Sequence, residues 1–176
     1  MSQTPTTATR VRWATPEDVA TIVAFVRGLA EFEQEPLEHV HLTEADVLRD
    51  GFGDRPAFEC LIAEQGPVEA PRPVGHAIFF WYYSTWEARR SLYLEDLFVV
   101  EDARRSGVGR ALIEALARIA QERGAPRLDL SVLDWNPARG AYEHLGFAWE
   151  REWLRYRLDA DGIAALATPA EDSPAG

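Results

Sequence analysis

Six consecutive residues, Arg104-Arg105-Ser106-Gly107-Val108-Gly109, join the apolar run Leu92–Val100 to a stretch with helical periodicity. Arg-x-x-Gly-x-Gly in a strand-to-helix connection can aim several main-chain N–H groups at one point, and the helix N-terminus adds positive potential. That is an anion cradle. Its glycines permit the close main-chain approach a pyrophosphate needs, although the same glycines also serve an ordinary turn. The spacing is not the G-x-G-x-x-G of a dinucleotide fold, and no GK[ST] follows, which excludes a P-loop. Upstream, LYLEDLFVV is interrupted only at Glu95-Asp96. A carboxylate there is either a partly exposed strand feature or a proton acceptor beside the anion site. Strand alternation predicts that Asp96 points to the opposite face from Glu95.

The elements that must hold these residues follow from periodicity. Val11–Trp13 reads as a short strand. Thr15-Pro16-Glu17-Asp18 supplies an N-cap, a proline at N1 and an acid at N3, and apolar residues at helical spacing then run from Val19 to about Phe32. Thr43-Glu44-Ala45-Asp46 repeats the capping signal, with Gly51 as the expected stop. Ala57–Glu64 and Val74–Trp86 are rich in aromatic and β-branched residues and predict an antiparallel pair, followed by a turn at Glu87–Arg90 and the strand Leu92–Val100. Val108, Leu112, Leu116 and Ile119 mark a helix face ending at Arg123-Gly124; Leu128, Leu130 and Val132 then alternate as a strand. Asn136 caps a helix with Pro137 at N1 and Gly146 at its end, and WLRYRL, Trp153–Leu158, alternates as a last strand. The order is α/β: antiparallel strands first, then a strand-helix-strand-helix unit.

The chain has 176 residues, which fits one domain, expected over residues 10–160 between a flexible N-terminus, 1–9, and a mobile C-terminal tail, 161–176. No window approaches the roughly 20 apolar residues of a membrane span, and the N-terminus lacks the apolar core of a signal peptide, so a cytoplasmic protein without a membrane partner is expected. The formal charge of −11 opposes nucleic-acid binding and suits a cationic partner. Cys60 has no second thiol to pair with, and the four histidines show no zinc-like spacing, so no metal is assigned.

The order and spacing of Arg104 to Gly109, the preceding LYLEDLFVV, and the later Asn136 and Tyr142-Glu143-His144-Leu145-Gly146-Phe147 resemble the GNAT acetyltransferase superfamily. More narrowly, LTEADVLRDGFG (Leu42 to Gly53), CLIAE, LYLED and DWN are similar to the diamine acetyltransferases, the spermidine/spermine N1-acetyltransferase group and its thialysine-acetylating relatives. The similarity spans Val11 to Leu158. It implies a GNAT-like mixed sheet flanked by helices and splayed at a bulge, with acetyl-CoA as cosubstrate between the diverging strands. By the same resemblance the pyrophosphate would rest on Arg104, Arg105, Ser106, Gly107, Val108, Gly109 and Arg110. Leu97, Phe98 and Val99 would face the pantetheine, and Asn136, Pro137, Ala138 and Arg139 would also contact the cofactor. A main-chain N–H of the Leu97–Val99 strand would polarise the acetyl carbonyl.

An alkylamine with a pKa of about 10 is protonated at pH 7, so a base is needed. The resemblance makes Glu95 that base, acting through bound water, and Tyr142 the acid that protonates the departing thiolate. Asn136 and Tyr142 are six positions apart where the family pattern has seven, and Gly140 loosens the helix between them. Phe32, Glu33, Glu95, Asp96, Asp129, Leu130, Ser131 and Glu152 are the implied amine-site residues; the shortened segment between Gly146 and Trp153 leaves Glu150 as the alternative to Glu152. Acidic side chains would hold a second ammonium, which favours a diamine, polyamine or thialysine-like substrate acetylated by direct attack. Two other readings stay open: acetylation of another amine (a drug, a peptide or a protein N-terminus), and a non-catalytic acyl-CoA-binding module. The family is also expected to form a homodimer through the region of WLRYRL.

Overall fold

The structure is a computed structural model that describes residues 8–168. The chain divides into two compact units, Met1–Arg139 and Gly140–Gly176. In the first, one sheet holds β1 (Arg10–Trp13), β2 (Glu59–Gln65), β3 (Arg72–Ser84), β4 (Arg89–Val99) and β5 (Leu128–Leu130) in that spatial order. The first four are antiparallel; β4 and β5 run parallel, joined by helix α3 (Val108–Glu122).

Helix α1 (Val19–Phe32) starts where the sequence places it, after a 3-10 turn at Pro16–Asp18. The Asp18 carboxylate accepts the Thr15 N–H at 2.8 Å and is held by Arg12 at 2.7 Å. Arg12 also pairs with buried Glu64, which takes Arg10 as well, so the edge strand β1 is tied to β2 by ions as well as by its ladder. Burying Glu64 would be costly without those two partners. Helix α2 (Glu44–Phe52) begins at the Thr43 cap, with Thr43 Oγ1 accepting the Asp46 N–H. It passes through Gly51, expected as its stop, and ends at Gly53.

The two faces of the sheet are covered differently. Val19, Ile22, Val47, Cys60, Ile62 and Ile78 form the core on the face of α1 and α2. Phe98 continues that face: its ring lies 5.6 Å from Phe25, and a Cβ on Gly28 would come within 2.7 Å of it. On the other face the side chains of Val99 and Val108 both lie against Gly75, and α3 buries Val108, Leu112 and Leu116. Gly75 fits beneath because a Cβ there would meet the Phe98 carbonyl oxygen at 2.6 Å.

Three expectations are corrected. β5 stops at Leu130, short of Val132, because its partner strand turns away at that level. Trp153–Leu158 forms no strand among the described residues. Alternation alone does not make a strand; its N–H and C=O groups need a ladder partner. Residues 161–167, expected to belong to a mobile tail, lie in helix α5 (Ala160–Ala167), capped by Asp159 Oδ1 accepting the Gly162 N–H at 2.9 Å. Of the expected flexible ends, 1–7 and 169–176 lie outside the described residues.

Candidate active site

The site begins where β4 leaves β5. Their parallel ladder pairs Leu92 with Leu128, Tyr93 with Asp129 and Leu94 with Leu130, and ends there. On the other edge of β4 the register to β3 shifts at the same level: Leu94 stands opposite Phe79 and Asp96 opposite Ile78, leaving Glu95 as an extra residue. This is a β-bulge, which bends a strand and re-aims the residues beyond it. It also interrupts the regular ladder on which the expected alternation of Glu95 and Asp96 rests. Glu95 is exposed and Asp96 half-buried.

Beyond the bulge one edge of β4 has no strand beside it among the described residues. The Val100 N–H donates to Val74 O at 2.9 Å, on the β3 side. Successive amides of a strand point to opposite edges, so the N–H groups of Leu97 and Val99 point the other way, along the open edge. The side chain of Phe98, expected to face a cofactor, is buried in the core against Phe25.

The cradle lies at the end of this edge. After a 3-10 turn at Glu101–Ala103, Arg105 takes φ 62° and Gly107 φ 91°, and Gly107 caps α3. Ser106 Oγ donates to Ala103 O at 2.7 Å and accepts from Gln65 Nε2 at 3.1 Å, which fixes the loop. A Cβ at Gly107 would meet nothing within 4 Å, and one at Gly109 only Val99 Cγ2 at 4.0 Å. The main chain at the start of α3 is therefore open to a ligand, and its unpaired N–H groups suit a phosphate. Arg105 and Arg110 are exposed, Arg110 beside Glu114. Arg104 turns inward: its Nε donates to Val99 O at 2.9 Å, and its guanidinium lies 4.6 Å from the ring centre of Phe32. Phe32 in turn stands 6.2 Å from Trp135.

Asn136, next along, is buried; its Oδ1 accepts the Ala138 N–H at 2.9 Å and starts helix α4 (Ala138–His144) past Pro137. Arg139 reaches back to Asp134 O at 2.8 Å.

Asp96 opens into a cavity of about 200 Å³ lined by Val26, Leu29, Ala30, Glu33, Glu35, His39, Val40 and Asp96 itself. Burial, with Glu95 and Glu33 nearby, pushes the Asp96 carboxyl up to about 6. Burial and then Glu35 raise Glu33 as well. Glu35 and His39, 3.3 Å apart, are additions that the sequence does not signal. They lie in the connection after α1, His39 at the end of a 3-10 turn (Leu37–His39), in a segment with no periodic pattern where Gln34 has φ 60°.

Of the other implied amine-site residues, Asp129 is committed elsewhere: Tyr82 Oη donates to its carboxylate, and Arg127 Nε reaches it at 3.1 Å. Ser131 Oγ bonds Tyr93 Oη at 2.7 Å, and Leu130 is the last residue of β5. In the second unit, Tyr142 sits on α4 with its ring edge-on to Phe147, and Glu150 and Glu152 are exposed.

Known proteins resemble this chain in sequence and fold. Residues 21–147 match the Acetyltransferase (GNAT) family. The thialysine N-epsilon-acetyltransferase of Mus musculus is 36% identical over 169 residues, 91% of this chain and 98% of that protein. The spermidine/spermine N(1)-acetyltransferase-like protein 1 of Homo sapiens is 33% identical over 177 residues, 95% of this chain but 25% of that longer protein. An integron cassette protein from the mobile metagenome of V. cholerae shares the fold, with a TM-score of 0.72 at 22% identity, covering 92% of this chain and 98% of its own. A splayed sheet that ends on a glycine cradle thus has its family: the chain belongs to the GNAT acetyltransferases and is an acetyl-CoA-dependent N-acetyltransferase.

Proposed function

We propose that the protein moves the acetyl group of acetyl-CoA to a primary amine of a diamine, polyamine or thialysine-like amino acid by direct attack. One observation carries this reading: the open edge of β4 runs from the glycine cradle to the bulge at Glu95, beside a carboxylate-lined cavity. The cofactor supplies an activated thioester. Main-chain N–H groups at residues 107–109, with Arg104, Arg105 and Arg110 nearby, would hold its pyrophosphate, and the edge at Leu97–Val99 would hold its amide-bearing arm. An N–H on that edge would stabilise the oxyanion formed on attack.

Glu33 and Asp96 attract the protonated amine, and at neutral pH an Asp96 carboxyl with a pKa of about 6 is mostly ionised and able to do so. Glu95, at the bulge, accepts the proton through solvent before attack. Tyr142 takes the acid role its family position implies. Glu33, Glu35 and Asp96 line the cavity, and these carboxylates favour an amine that carries a second cationic group. The murine relative is named for acetylating the N-epsilon of thialysine, which goes with this reading.

Incubation with acetyl-CoA and a panel of short diamines, polyamines, thialysine and aminoglycosides, following thiol release, tests the reading. Turnover fastest on a dication is expected; cofactor binding without turnover on any amine would leave a binding module.

A homodimer in the cytoplasm goes with this proposal. Among the described residues of the second unit, Trp149, Trp153, Leu154, Tyr156, Leu158, Ile163 and Leu166 are exposed, apolar side chains that a second copy could cover. Light scattering on the purified protein is expected to give twice the 19.8 kDa chain mass.

A further inference from the structure

Arg104 touches both halves of the site. Its Nε occupies the carbonyl of Val99 on the open edge of β4, where the proposed function lays the cofactor's amide arm. Its guanidinium lies over the ring of Phe32, 4.6 Å from the centre, and 5.8 Å from that of Phe98. Phe32 is the last residue of α1, and the next, Glu33, lines the cavity. A cation on an aromatic face excludes a second cation from that face by simple repulsion, although the ring would otherwise attract one.

We infer that Arg104 is a positioning residue that couples cofactor binding to amine binding, by withholding the face of Phe32 from a cationic substrate until the cofactor arrives. This coupling rests on the acetyl-transfer function proposed for the same site. An amide-bearing chain on the β4 edge competes with Arg104 Nε for Val99 O. The pyrophosphate at the adjoining cradle offers the guanidinium a better, anionic partner. Once Arg104 turns to it, the Phe32 face is free for the substrate ammonium, and the positive charge that opposed it is neutralised. Coupling is reciprocal, so the amine tightens the cofactor by the same factor.

Titration calorimetry on the full chain tests this, with CoA as the cofactor probe and thialysine as the amine probe, each alone and in the presence of the other. The wild-type protein is expected to bind thialysine at least about fivefold more tightly with CoA present, at the lower end of ordinary coupling. In Arg104→Gln the ratio should fall toward one, because thialysine alone now binds nearly as tightly as in the ternary complex. A gain of affinity is an outcome that damage to the fold does not produce. Arg105→Gln is the comparison: it removes a neighbouring exposed charge, weakens CoA, and should leave the ratio intact. Arg104→Lys should restore CoA affinity yet not the full ratio, since an ammonium lacks the planar fork that stacks on Phe32. A wild-type ratio of one, or an unchanged ratio in Arg104→Gln, overturns the inference. No CoA binding by the wild-type protein overturns the acetyl-transfer reading itself, and the coupling with it.

Discussion

Leu94 and Leu130 form the last rung of the parallel ladder between β4 and β5, and the residue after Leu94 is the unpaired Glu95 of the bulge. The end of one ladder and the shift in the other coincide, so a single extra residue opens the edge and delivers a carboxylate to it. If Glu95 takes the amine proton, Glu95→Gln should lower kcat/KM most below the pH at which free amine is abundant. A loss of about 10²-fold is the ordinary scale for a general base. Rate-against-pH curves for the two proteins check this; parallel curves would remove Glu95 from the role.

Asp96 is the other carboxylate at this level, and its raised pKa has a sign. The unfolded carboxyl loses its proton near pH 4 and the folded one near 6, so the stabilising effect of its protonated form is present below about pH 4 and lost as the pH rises through 6. Asp96→Asn should therefore raise stability at pH 8 by about 2 kcal/mol, since a tenfold difference in proton affinity between the folded and unfolded chains is worth about 1.4 kcal/mol and partial exposure reduces the total. Urea midpoints at pH 5 and pH 8 measure it, with about half of the gain expected at pH 5 and all of it at pH 8. The same variant should bind the amine more weakly at pH 8, which separates its two roles.

His76 behaves in the opposite sense. It is fully buried on β3 with its ring edge-on to Phe25, neither ring nitrogen has a hydrogen-bond partner among the described residues, and burial lowers its pKa to about 3. The unfolded chain takes up a proton near pH 6.5 while the folded one does not. Stability therefore falls as the pH drops below 6.5, by up to about 1.4 kcal/mol per pH unit. His76→Leu should flatten that acid limb between pH 6.5 and 4.5 in thermal melts; an unaltered limb would assign it to other groups.

How much of the site is legible in the sequence varies by residue, for physical reasons. Capping and glycine signals are local, so Thr15, Thr43, Asn136 and the 104–109 loop stand out without knowledge of the fold. The interruption at Glu95-Asp96 is visible too. Its consequence is not, because a bulge is defined by pairing with Ile78 and Phe79, sixteen or more residues away. Asp129 carries the right charge for an amine site, but Tyr82 and Arg127 claim it through contacts that no local pattern encodes. Glu35 and His39 lie in an aperiodic connection, where chemistry without periodicity leaves no trace. WLRYRL shows the converse: a clean alternation with no ladder partner among the described residues.

Gly109 separates folding from cofactor binding. It lies in the first turn of α3 without a positive φ, and a Cβ there approaches only Val99 Cγ2, at 4.0 Å. Gly109→Ala should stabilise the fold by about 0.5–1 kcal/mol, the usual gain of alanine over glycine in a helix. The added methyl would stand where a phosphate must approach the main chain, so CoA affinity should fall at least about tenfold. Melting temperature and calorimetric CoA binding, measured on one preparation, are expected to move in opposite directions. If both rise, the phosphate does not rest on this turn.

Tyr142 tests the last proton. Its hydroxyl is proposed as the acid for the departing thiolate, which would leave more slowly unprotonated, whereas its ring packs edge-on to Phe147 at 5.6 Å. Tyr142→Phe keeps the ring and removes only the hydroxyl, so the packing should persist and CoA affinity should change little. A fall in kcat of about 10-fold to 10²-fold at pH 7.5, with KM for acetyl-CoA held, is the expected result for loss of a general acid. Because a thiol in water leaves readily at alkaline pH without help, the deficit should shrink as the pH rises toward 9. A deficit equal at all pH values would instead mean that the hydroxyl orients the substrate, and no deficit would pass the acid role to water.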